Sequence, residues 1–231
     1  MSHALQGPNQ EFARTKGRAA RYDPEVTPFA GLADDPDDAA WADLATLYRP
    51  DEVAVLSARR PLEPPDSWEP LGRIPGVQMV GPTDGIPAGR DRDRIGTPLG
   101  ADDVADMLAL VRRTEPGPFL PRTVELGGYL GVRREGRLVA MAGHRMHLPG
   151  FTEISAVCTD VEVRGQGIAG SLVGQVVAGI VARGEQPFLH ATVSNVNAIR
   201  LYEALGFRAR TRLEFLAART PADPHGARNC E

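Results

Sequence analysis

The residues Arg164-Gly165-Gln166-Gly167-Ile168-Ala169 are the part of this chain best suited by type and spacing to hold a charged ligand. They stand between an extended run that ends near Thr159 and a stretch, Gly167 to Arg183, in which Ile168, Leu172, Val176 and Ile180 recur at helical spacing. Glycines at such a turn let backbone N–H groups face outward, and the helix N-terminus adds the positive end of its dipole. A pyrophosphate can be held there without a lysine. The other reading is steric, since a tight strand-to-helix turn uses glycine for its shape alone. Gly165, Gly167 and Gly170 also spell GxGxxG, the dinucleotide fingerprint of nucleotide-dependent oxidoreductases. That fold places the first glycine directly after its strand and an acidic residue at the end of the next one. Here Asp160 to Arg164 intervene and Glu185 comes before its strand, so the oxidoreductase reading ranks last. No Gly-Lys-Ser/Thr is present, which removes the Walker loop.

Other side chains with chemical potential lie close by in sequence. Asn195 and Tyr202 are seven residues apart, two helical turns, and so share one helix face. His190 alternates with Leu189 and Ala191 on an expected strand and shares its face with Phe188 and Thr192; a hydrogen-bonded core histidine and a proton acceptor are both open. Cys158 sits in an apolar run, where a buried, inert thiol is the default. With Cys230 it makes neither a disulfide framework nor a zinc cluster. His144 and His147, three apart on a strand, are expected on opposite faces, a poor pair of metal ligands, and no metal is expected.

These residues need elements to position them. Asp102 to Arg113 reads as a helix with Val104, Met107, Leu108 and Val111 on one face, stopped by Pro116-Gly117-Pro118. Tyr129 to Arg133 and Leu138 to His147 read as strands joined by a turn at Arg134-Glu135-Gly136, followed by a strand from Phe151 to Thr159. The helix from Gly167 stops at Gly184, a strand covers Pro187 to Val193, and Ser194 can cap a helix from Asn195 to Leu205. Gly206 ends that helix before a last strand from Phe207 to about Leu216. The order implies an α/β fold with a mixed sheet and at least one parallel crossover.

The first ninety residues are harder to read. They offer one clear helix, Pro36 to Tyr48, with Ala40, Trp41, Leu44 and Leu47 as its stripe and Asp34 or Asp35 as cap, then a strand from Glu52 to Leu56. Gly81 to Gly89 and the charged run after it read as a linker. The expected organisation is therefore an N-terminal α/β region over 1–92 and a main domain over 93–231.

Composition excludes several classes. With 231 residues, 42% hydrophobic and 24% charged, the chain is globular, and a net charge of -4 with arginines interspersed among acids gives no basic stripe for nucleic acid. Met1 to Arg21 has no apolar run fit for a signal peptide, and Gln175 and glycines interrupt the longest apolar helix candidate. Neither a membrane span nor secretion is expected. A cytoplasmic location is.

Two signatures together resemble the GNAT superfamily of N-acetyltransferases. Its pyrophosphate loop reads Gln/Arg-x-x-Gly-x-Gly/Ala, which Arg164 to Ala169 match; its Asn-x-x-Ala-x-x-x-Tyr followed by Gly-Phe appears as Asn195, Ala198, Tyr202, Gly206 and Phe207. The resemblance covers about residues 93 to 231, and the subgroup of glycine N-acyltransferase-like proteins looks most similar. It implies a GNAT-like acyltransferase fold with 1–92 as an extension or degenerate acyltransferase-like half. It also implies acetyl-CoA as cosubstrate and direct transfer of an acetyl group to a small-molecule or peptide amine. The backbones of Val157, Cys158 and Thr159 would pair with the pantetheine arm, and the loop amides from Arg164, Gly165, Gln166, Gly167, Ile168 and Ala169 to Gly170 would hold the pyrophosphate, with Asn195 beside them. Tyr202 takes the family's general-acid place, against a plain core tyrosine. His190 stands where some members carry a glutamate base, with Glu153 as rival. A homodimer is compatible with the family, and a non-catalytic acyl-CoA-binding module is the alternative to an enzyme.

Overall fold

The computed structural model describes residues 2–33, 35–87 and 95–222. The chain opens with α1 (Ser2–Leu5), β1 (Ala13–Lys16), β2 (Ala19–Tyr22), β3 (Phe29–Leu32), α2 (Asp38–Ala45), β4 (Val53–Ala58) and β5 (Glu69–Val80). After it come β6 (Thr97–Leu99), α3 (Val104–Thr114), β7 (Tyr129–Arg134), β8 (Arg137–Leu148) and β9 (Phe151–Thr159). The last elements are α4 (Ile168–Ala182), β10 (Gln186–Thr192), α5 (Val196–Ala204) and β11 (Arg208–Arg219). This is the mixed α/β architecture expected. The strands β1, β2, β3, β5 and β6 are additions to the sequence reading.

Two compact units emerge. The first comprises residues 1–24, 28–76 and 212–231; the second comprises 25–27 and 77–211. In the first the strand order is β1-β2-β3-β4-β11-β5, with β3 parallel to β4 and β4 antiparallel to β11. Trp41 and Leu44 of α2 pack with Leu56, Trp68, Leu216 and Ala218, and the rings of Trp41 and Trp68 meet edge to face at 5.1 Å. The stripe that the sequence put on this helix is thus a core stripe. Its cap is Asp37, whose Oδ1 accepts the Ala40 N–H at 3.0 Å; Asp35 does not serve, and Asp34 lies outside the described residues.

In the second unit the order is β5-β10-β9-β8-β7-β6. Strands β9 and β10 run parallel, connected through α4, and β8 pairs antiparallel with both β7 and β9. Ile168, Leu172, Val173, Val176, Val177 and Ile180 of α4 bury against Met79, Ala140, Ala142, Ile154 and Leu189. Each such aliphatic side chain contributes roughly 1.5–3 kcal/mol of burial, which fixes the helix on the sheet. Its first turn is fixed with it. The other face of the sheet carries α3, with Met107 and Leu110 buried among Tyr129, Leu138, Met141 and Cys158. Glu115, in the left-handed region at φ 46°, ends α3 as its N–H reaches the Val111 carbonyl at 2.8 Å. The cap of α5 is Asn195, whose Oδ1 accepts the Ala198 N–H at 3.2 Å, and not Ser194.

One strand reading needs correction. The rings of His144 and His147 meet at right angles with centroids 5.1 Å apart, so they do not lie on opposite faces. The register of β8 against β9 slips between them, from His144 opposite Ile154 to His147 opposite Thr152, and the additional residue turns both rings to one side.

Candidate active site

Strands β9 and β10 separate near their middle. Their registered pairing runs from Phe151 with Gln186 to Ile154 with Leu189 and stops there. Just beyond, Ala156 takes φ 52°, and the β8 register changes from Ser155 opposite Gly143 to Cys158 opposite Met141. A bulge at Ala156 bends β9 away from its parallel neighbour. Into the space so made opens a cavity of about 530 Å³, bordered on β9 by Val157, Cys158 and Thr159.

The loop after β9 forms one wall. Asp160, clamped by Arg113 at 2.9 Å, starts a short 3-10 turn over Val161–Val163, and Arg164 folds back to donate to the Thr159 carbonyl at 3.1 Å. Gly165 and Gly167 both adopt φ 79°, a conformation that favours glycine. Gly167 is the N-cap of α4 and offers no side-chain cap, so the first N–H groups of that helix meet no side chain at the cap position. A loop with left-handed glycines and a bare helix N-terminus at the rim of a cavity fits a pyrophosphate.

The opposite wall comes from α5 and the end of α3. Asn195, Ala198 and Tyr202, at i, i+3 and i+7, all face the cavity, together with Asn197 and Leu201. Tyr202 is buried against Phe207, ring centroids 5.9 Å apart, and burial pushes its phenol up to about 12. It keeps its proton at neutral pH. Burial likewise pushes the Cys158 thiol up to about 11, which leaves a wall-lining thiol with little thiolate character. Thr114, Glu115 and Pro116 complete the wall. They were missed because the sequence around Pro116 reads only as a helix stop, whereas Leu201 could have been found from its place one residue before Tyr202.

The structure therefore brings Val157, Cys158, Thr159, Arg164, Gly165, Gly167, Ile168, Ala169, Gly170, Asn195 and Tyr202 to one cavity. Gln166, Glu153 and His190 do not contribute to its wall. Gln166 meets Arg134 at 3.3 Å. Glu153 and His190 belong to a second group of polar residues on the sheet. There, Arg145 reaches Glu153 with both Nε (3.1 Å) and Nη2 (2.9 Å), and His190 Nδ1 lies 2.8 Å from Glu153 Oε1. His190 Nε2 is 3.1 Å from Gln78 Nε2, and Gln78 Oε1 accepts from Arg210 at 2.6 Å. Burial alone would raise the Glu153 carboxyl, but Arg145 and His190 outweigh it and hold the group well below the ordinary carboxylate range.

Known proteins share this fold. A family model described as FR47-like protein matches residues 129–216. A GNAT-family protein from Novosphingobium aromaticivorans is 42% identical over 94% of each chain, with a TM-score of 0.84. The fold also recurs in a GCN5-related N-acetyltransferase from Kribbella flavida (19% identity, 98% of this chain and 95% of that one, TM-score 0.60). It recurs again in a tandem GNAT protein from the clavulanic acid biosynthesis pathway (15%, 89% and 79%, TM-score 0.53). A search among curated proteins gave no match. The chain belongs to the GNAT family of acetyltransferases, whose acyl donor is acetyl-CoA. Among the described residues no helix is long and apolar enough to cross a membrane.

Proposed function

We propose that this protein is an N-acetyltransferase that passes an acetyl group directly from acetyl-CoA to an amine within a ternary complex. Its acceptor is a small-molecule or peptide amine, and the glycine N-acyltransferase-like members of the family, which its motifs resemble, are the guide to that acceptor. The observation that carries the reading is the buried, protonated Tyr202 in the wall of the cavity that the phosphate loop borders.

When bound, acetyl-CoA supplies an activated thioester. The N–H groups of Gly165 to Gly170 would hold its phosphates, and the β9 backbone from Val157 to Thr159 would pair with its extended arm. As the amine nitrogen bonds to the acetyl carbon and the C–S bond breaks, Tyr202 delivers its proton to the departing sulfur. An amine with a pKa of about 8–10 must lose a proton to react; because His190 stands outside the cavity wall, the proton would reach its Nε2 lone pair through a water chain once the Gln78 amide gives way. Glu153, held as a carboxylate by Arg145, orients His190 and is itself too weak a base for the task.

Tyr202→Phe tests the reading, since it keeps the ring and its packing but deletes the proton. Turnover with a panel of amines should fall about 10²- to 10⁴-fold while acetyl-CoA still raises the melting temperature as it does for the parent protein. Full activity in Tyr202→Phe removes the acid role. No thermal shift of the parent at millimolar acetyl-CoA, with no calorimetric binding, removes the CoA reading.

A further inference from the structure

The chain Arg210–Gln78–His190–Glu153–Arg145 crosses five strands, β11, β5, β10, β9 and β8, and its outer members decide how the protons within it must lie. A guanidinium only donates, so the Gln78 atom facing Arg210 at 2.6 Å is the amide oxygen, and the amide NH₂ is left to face His190 Nε2 at 3.1 Å. At the other end Arg145 donates twice to Glu153, which is 1% exposed and ionised, and an ionised carboxylate only accepts. The proton at the 2.8 Å contact must therefore sit on His190 Nδ1. With a donor already in front of it, Nε2 must be bare.

We propose that Gln78, oriented by Arg210, is a positioning residue that works with Glu153 to hold His190 as the neutral Nδ1–H tautomer, its Nε2 unprotonated and held by the Gln78 amide until that amide turns away. Neither end suffices alone. Glu153 fixes Nδ1 but permits a second proton on Nε2, which would make an imidazolium beside a carboxylate. The Gln78 amide opposes that second proton, because N–H would then face N–H. The direction of the amide is in turn decided by Arg210, without which Gln78 could turn its oxygen to His190 and accept from a protonated Nε2. A base must begin its turn unprotonated, and this arrangement prepares it so. The role in catalysis rests on His190 being the base; the tautomer itself does not.

The test is long-range ¹H–¹⁵N correlation on the full chain labelled at histidine nitrogens, at neutral pH. In the parent, His190 should show a protonated Nδ1 and a bare Nε2, favoured by at least about fivefold over other forms, the ratio set by one net hydrogen bond. Gln78→Leu, and independently Arg210→Met, should lower that ratio by a similar factor and populate forms with a proton on Nε2. Arg210 is exposed, so its replacement leaves the fold intact even if Gln78→Leu does not. A parent His190 with a protonated Nε2, or the same tautomer ratio in Arg210→Met as in the parent, overturns the proposal. Turnover of His190→Gln is a separate readout: full activity there withdraws the base from the proposed function, whereas the nitrogen spectra report the positioning by Gln78 regardless.

Discussion

Each unit contains a strand, a helix and a second strand parallel to the first: β3, α2, β4 in one and β9, α4, β10 in the other. They treat the helix N-terminus in opposite ways. In the first, Asp37 turns its carboxylate onto the Ala40 N–H, and the positive end of α2 is neutralised by its own chain. In the second, glycine occupies that place at φ 79°, no side chain caps the helix, and a cavity lies in front. The comparison extends to buried charge. Arg21 and Glu52 pair in the first unit, where the Glu52 Oε2 also accepts the Arg49 N–H and Arg21 stacks 3.6 Å over the Tyr48 ring. Arg145 and Glu153 pair in the second, where the carboxylate turns its remaining capacity to a histidine. The same local devices are closed among neighbouring residues in the first unit, whereas in the second they face a cavity or a histidine.

The largest effect on ligand affinity should come from making the second helix resemble the first. Gly167→Asp puts a carboxylate at the end of α4, and aspartate tolerates left-handed backbone better than most residues. The protein should fold, and acetyl-CoA affinity measured by calorimetry should drop by on the order of 10²-fold or more as charge-assisted hydrogen bonds to phosphate are lost. Unchanged affinity would mean that the bare helix end is not the phosphate site.

Next come the two ion pairs. Glu153→Gln removes the negative charge paired with a buried guanidinium and should cost about 3–5 kcal/mol in denaturant unfolding. Glu52→Gln should cost less, about 1–3 kcal/mol, because the Glu52 side chain is 31% exposed against 1% for Glu153. Both carboxyls titrate lower folded than unfolded, so their contribution is complete above the ordinary carboxylate pKa of about 4.5 and is lost as pH falls further. For Glu153 the loss extends down to about 2. Glu153→Gln should therefore flatten the fall of stability with pH in that window, and equal costs for the two variants would break the contrast between the pairs. The smallest effect is Asp37→Ala, expected to lower stability by about 1 kcal/mol with acetyl-CoA binding unchanged.

How far the sequence went follows from how each region is built. The loop before α4 and the helix α5 are each continuous in sequence, so the cavity-lining Gly165, Gly167, Asn195 and Tyr202 could be read as motifs and as helical spacing. The Arg210–Gln78–His190–Glu153–Arg145 chain is assembled by sheet pairing from residues as far apart as positions 78 and 210, and no local pattern records that. Strand β5 was hidden for a different reason. Pro70, Gly72, Pro75 and Gly76 read as breakers, yet a Cβ on Gly76 would lie 2.7 Å from the Phe215 ring, so that glycine serves close strand packing. Strands β2 and β3 are buried at every position, which removes the alternation that reveals a strand. The cap of α2 was misplaced by two residues because four aspartates, 34, 35, 37 and 38, crowd its start and any of them has suitable chemistry.

The bulge at Ala156 has a consequence for how the protein exchanges hydrogen with water. The registered pairing of β9 with β10 ends at Ile154 and Leu189, so the amides of Val157 to Thr159 lie outside the ladder that holds Thr152 to Ile154. Without acetyl-CoA these amides should exchange with deuterium far faster than those of Thr152 to Ile154 in the same strand, although both stretches lie in the middle of the sheet. An extended arm seated in the gap would supply the missing ladder and slow them. A cosubstrate seated in this way would act as a strand of the fold as well as a reactant, and the part of the sheet expected to open most readily in the free protein would become one of its better protected parts in the complex.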